Sequence, residues 1–105
     1  MDEMKSILQE IGLPFAYSHF APGEAVDPPF LCWLTDDSDN FAADGIVYHR
    51  AAVIHLELYT DRKDPTEEER VQSVLDAHEI FWERSEVWIG EERLYEVLYI
   101  FELEV

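Results

Sequence analysis

Apolar residues recur at Met4, Ile7, Leu8 and Ile11, the i, i+3, i+4, i+7 stripe of a short helix. Gly12 and Pro14 stop it, the glycine by accepting a left-handed conformation and the proline by refusing helical continuation. Residues 15–20 read as a strand, and Pro22-Gly23 with Pro28-Pro29 mark a constrained loop after it. Residues 30–35 read as a second strand, apolar on both faces. A polar connection leads to a long β-rich run over 46–60. There Ala52, Ile54, Leu56 and Leu58 alternate with His55, Glu57 and Tyr59, and His49 shares the polar face.

Asp64-Pro65-Thr66-Glu67 is a helix start, with an N-cap acid, proline at the first helical position and a capping-box glutamate. Val71, Val74, Leu75 and His78 supply that helix's buried stripe. Glu67, Glu68 and Glu69 complement the dipole at its start. Residues 80–88 and 94–105 read as two strands joined around Ile89-Gly90-Glu91-Glu92. In the last, Tyr95, Val97, Tyr99, Phe101 and Leu103 alternate with a more polar set, the mark of a half-buried antiparallel strand. The predicted order is α-β-β-β-α-β-β, with hairpins and no βαβ regularity. An α+β fold follows: a mostly antiparallel sheet of about five strands carrying two helices in a single domain over 1–105.

Charge changes the picture most. The 105 residues hold 24 Asp+Glu against 7 Lys+Arg, a formal charge of −17. Such a surface is unsuited to gripping DNA phosphates or anionic membranes. The 48% hydrophobic content nonetheless separates the chain from disordered acidic tails. The acids are spread along the whole chain, so no charged tail divides it. The first residues lack a basic, then apolar, leader and no stretch is long enough to span a bilayer, so residence in a cytosol-like compartment is expected. A domain this small has a narrow stability margin, which assembly would widen.

Motifs for chemistry are few. Cys32, the single cysteine, lies in Phe30-Leu31-Cys32-Trp33-Leu34 and reads as a packed thiol. Asp37, Asp39 and Asp44-Gly45 resemble part of a calcium loop, but Phe41 stands where another carboxylate is needed. His49 and His55 fall too far apart along a strand to share zinc, and His78 reads as a packed imidazole. Glu57 and Glu96 are acids without a distinguishing context. No nucleophile elbow, metalloprotease helix or glycine-rich phosphate cradle is present. The expectation is a non-enzyme with no cofactor and no metal. Trp82, Arg84 and Trp88 share one strand parity. Two readings stay open for them: cover for the core with charges at its rim, or a protein–protein patch.

The ordered pieces Gly12-Leu13-Pro14-Phe15-Ala16-Tyr17, Pro29-Phe30-Leu31, Asp39-Asn40-Phe41-Ala42-Ala43-Asp44, Glu57-Leu58-Tyr59-Thr60-Asp61, Glu79-Ile80-Phe81-Trp82-Glu83 and Leu94-Tyr95-Glu96-Val97 carry a resemblance. Together they resemble small siphophage and prophage proteins of Gram-positive bacteria, of the tail-terminator or head–tail joining class. The resemblance implies a structural virion subunit that assembles as a homomeric ring, typically a hexamer, on the end of the tail tube. Its implied partners are further copies, the tail tube protein and the head connector. DNA would slide through without specific binding. The implied location is the host cytoplasm during assembly and then the virion. In such a ring the acidic connection holding Asp36, Asp37, Asp39 and Asp44 is the candidate lumen- or partner-facing loop. The rival is an acidic phage-encoded binding module, a DNA mimic or host-protein inhibitor. A salt-sensitive monomer on a basic partner would mark it.

Overall fold

The computed structural model describes residues 2–21, 23–24, 26–36 and 51–104. The first helix, α1 (Asp2–Ile11), buries Met4, Ile7, Leu8 and Ile11, the four positions of the apolar stripe. Gly12 ends it with φ 81°, and its N–H still reaches the Leu8 carbonyl at 3.2 Å. The second, α2 (Pro65–Ala77), starts as the sequence predicts: Asp64 accepts the Glu67 backbone N–H at 3.3 Å, and Pro65 opens the first turn. Its buried face differs from the expected one. Glu68 joins Val71 and Leu75 inside, only 6% exposed, while Val74 packs at the border and His78 forms the C-cap.

Five strands form one sheet: β1 (Phe15–Tyr17), β2 (Phe30–Asp36), β3 (Ala51–Thr60), β4 (Trp82–Ile89) and β5 (Leu94–Glu104), in the spatial order β1-β2-β3-β5-β4. The α+β class and the element order agree with the sequence reading. Two connections do not. β1 is shorter than residues 15–20 and pairs parallel to β2, Phe15 against Leu31 and Tyr17 against Trp33. Ser18 takes φ 67° and ends the strand, and the 18–29 connection supplies the roughly dozen-residue crossover that a parallel pair needs. Second, β5 is antiparallel to both β3 and β4, so β3 and β4 run parallel with β5 between them. The unit β3–α2–β4 is therefore a split βαβ crossover, where the sequence suggested only hairpins.

Register assigns each face. Ile54 lies against Phe101, Leu56 against Tyr99 and Leu58 against Val97, all buried on the side that carries both helices. With Leu31 and Leu103 they close one cluster with the apolar stripes of α1 and α2. Tyr99, fully buried near its centre, accepts from Gln72 Nε2 at 3.0 Å, and the edge of the Trp82 ring meets it at a centroid distance of 5.4 Å. Burial, the main cause, raises its phenol above the ordinary value.

Candidate functional site

The other face of the sheet carries no described helix. It presents Phe30, Cys32 and Leu34 from β2, Val53, His55, Glu57 and Tyr59 from β3, and Glu96, Leu98 and Ile100 from β5. Alternation puts them there, because each is one residue out of step with the core positions. At one end residues 18–20 and Val26 border this face. Phe20 meets Phe30 edge-on at 5.4 Å, and Phe30 stacks on Tyr59 at 5.1 Å. A recess of about 330 Å³ remains beneath, lined by Ser18, His19, Val26, Cys32, Tyr59 and Leu94 among others.

Tyr59 and Glu96 are direct cross-strand partners, and Glu57 is two residues from Tyr59 on the same face. The Tyr59 hydroxyl lies 2.9 Å from both Glu57 Oε1 and Glu96 Oε2. It has one proton, so it donates to one carboxylate at a time. Burial raises the Glu57 carboxyl above the usual range and the Glu96 charge adds to that, against the lowering effects of Tyr59 and His55. Burial and the two carboxylates drive the Tyr59 phenol far upward. The same burial, with the charges of Glu57 and Glu96, pushes the Cys32 thiol up to about 11. Cys32 is 5% exposed and stays protonated at neutral pH, so it packs as a small apolar group. The arrangement holds protons tightly, and its thiol is not poised for attack. The sequence names Glu57 and Glu96 but not their meeting, which only the β3–β5 register reveals.

Trp82, Arg84 and Trp88 share a face, as their parity implies, and it is the face toward α2. Trp82 Nε1 donates to Asp76 Oδ1 at 2.9 Å. Arg84 grips Glu68 Oε1 through Nε at 3.1 Å and Nη2 at 2.6 Å, and reaches Glu86 at 2.9 Å. Lys63 closes the network, 2.8 Å from Glu68 and 3.1 Å from Glu86. The two cations and the Tyr95 hydroxyl bring Glu86 down to about 2, the Tyr95 hydrogen bond being the largest influence. Trp88, 49% exposed, stands apart beside Tyr95 at the far end of β4. The three residues thus divide between a polar seam on α2 and an open edge.

Of the acidic connection, Asp36 is the last residue of β2, opposite Val53 and exposed. Asp37, Asp39 and Asp44 lie outside the described residues, as does His49. His78 is not simply packed against the core. Its Nδ1 is 3.1 Å from Glu3 and its Nε2 3.0 Å from Glu10, both on α1. Among the described residues no group of three or more His, Cys, Asp or Glu is placed to hold a metal ion, and no helix is long and apolar enough to cross a membrane. No family model, curated protein or solved structure matches this chain.

Proposed function

We propose that the chain is a structural subunit of phage tail morphogenesis, a tail terminator or head–tail joining protein that works as a ring between tail tube and head. The observation that supports this reading best is the sheet face without a described helix, where Leu34, Val53, Leu98 and Ile100 stay half-buried. A two-layer domain whose second sheet face carries an apolar stretch gains by laying that stretch on a neighbour. A neighbouring copy would cover it in a closed ring. The charge of −17 fits the same reading, because a passage lined by carboxylates lets DNA slide without gripping its phosphates.

Negative-stain electron microscopy of the purified chain mixed with its cognate tail tube protein tests the proposal. Rings seated on tube ends, with tube growth arrested, are the expected outcome. Tubes of unregulated length with bare ends would refute it. In the phage, loss of the gene should leave unjoined heads and tails of abnormal length.

A further inference from the structure

Next to the open sheet face, and sharing Val53 and Ile100 with it, lies a surface of different chemistry. The turn between α2 and β4 holds Phe81 out in solvent, 88% exposed, beside an open groove of about 460 Å³. Ile80, Val53, Ile100 and Leu103 contribute its apolar lining. Its rim carries Glu79, Glu83, Glu102 and Glu104, all exposed, with the Glu3–His78 pair also at its border, where His78 is already engaged by Glu3 and Glu10. Among the described residues, no lysine or arginine lines the groove.

We propose that this groove docks a partner protein through a Lys/Arg-rich amphipathic segment, with Phe81 as the apolar anchor. An aromatic ring left almost wholly in water gains by burial in a complex, and an apolar floor with a rim dominated by carboxylates selects a segment alternating apolar and basic residues. A second copy is a poor match for the acidic rim beside Phe81. It would bring 24 acids against 7 cations. Of those cations, Arg62, Lys63, Arg70 and Arg84 already face carboxylates of their own chain. The inference does not depend on ring assembly, since a free-standing binding module would use the groove in the same way.

The test titrates the isotope-labelled chain with a short peptide alternating Lys and Leu, at about 0.15 M salt to suppress diffuse charge attraction. Two comparison peptides replace Leu by Ser or Lys by Glu. Amide shifts should concentrate at residues 79–83 and 100–104. The Ser peptide should bind about tenfold more weakly or worse, as should the Phe81→Ser variant with the Lys-Leu peptide. Because Phe81 is exposed, that variant should melt within a few degrees of the parent, which separates lost docking from lost folding. The Glu83→Gln/Glu102→Gln pair should weaken binding with Phe81 intact. Shifts scattered over the whole acidic surface, or equal binding by Phe81→Ser, would overturn the proposal. So would self-association of the free chain that Phe81→Ser abolishes, or contacts from the Phe81 ring to residues 37–50 in the free chain.

Discussion

His78 ties α1 to the end of α2 through charge, and its titration should be readable in the stability of the whole domain. Both ring nitrogens lie within hydrogen-bond reach of a carboxylate, Nδ1 of Glu3 and Nε2 of Glu10, and the side chain is 18% exposed. Only the imidazolium has N–H donors on both sides, so the clamp is complete only when the ring is charged. Burial by itself would lower the imidazole, but the hydrogen bonds and charges of Glu10 and Glu3 outweigh it and hold the group above its ordinary value. A basic group raised on folding stabilises the native state fully below its unfolded pKa. That contribution fades as pH rises through the folded one.

Glu3 and Glu10 are about half exposed, so each pair contributes little in water, about 0.2–1 kcal/mol. A cation at a helix C-terminus adds about 0.3–1 kcal/mol. Comparing wild type with His78→Gln by urea unfolding should therefore show a gap of about 1 kcal/mol between roughly pH 5.5 and 6.5. For a domain near this length that is about 4–8 °C in melting temperature. The gap should shrink as pH rises from neutral toward about 9, where the unmodified ring is neutral. Adding Glu10→Gln should reduce the effect of His78→Gln, since the two share one interaction. A gap that is flat with pH, or that grows toward alkaline pH, would refute the electrostatic account.

Three further changes probe other parts of the molecule. Arg84→Met leaves the buried Glu68 carboxylate with Lys63 alone and should cost about 3 kcal/mol in urea unfolding; a loss below about 1 kcal/mol would show that Lys63 suffices. Cys32 should react with a disulfide reagent at about pH 8 only as fast as the protein opens, and prompt modification of the native chain would contradict its burial and raised pKa. Glu57→Gln should stabilise the protein at neutral pH. A carboxyl raised on folding works against the native state wherever it is ionised, so the gain should vanish below the ordinary glutamate range; a variant less stable at neutral pH would reverse that sign.

Much of this architecture is written in local patterns. The four-residue stripe of α1, the Asp64-Pro65 start of α2 and the alternation in β3 and β5 each follow from one segment and elementary geometry. Which strand lies beside which does not. Strand alternation fixes a face but no neighbour, so the parallel β1–β2 pair and the insertion of β5 between β3 and β4 were not legible. Glu68 shows the limit most clearly. A glutamate on a helix normally points to water, yet this one is spaced with Val71 and Leu75 and is buried under Arg84. The parity of Trp82, Arg84 and Trp88 was readable, but their destination was not, because it depends on how far α2 extends over β4. At the candidate site, sequence supplied Glu57, Tyr59 and Glu96 as separate residues, and the register makes them one cluster.

The two contacts, copy on sheet face and basic segment in the Phe81 groove, meet at Val53 and Ile100 but should answer to salt in opposite directions. Several of the chain's few cations face carboxylates within the fold, in the Lys63–Arg84 seam and at Arg62 and Arg70, so the outer surface is dominated by acids. Bringing copies together over an apolar sheet face must overcome that repulsion, and screening lowers it: the Debye length falls from about 8 Å at 0.15 M to about 3 Å at 1 M. Association between copies should therefore strengthen with added salt, with hydrophobic burial as the driving term. Capture of a Lys-Leu peptide in the Phe81 groove should weaken over the same range, because its selectivity rests on attraction. Sedimentation of the chain and peptide titration across one salt series measure both slopes. Ring assembly that dissolves as salt rises would mean that charge attraction, not the open sheet face, holds the copies together.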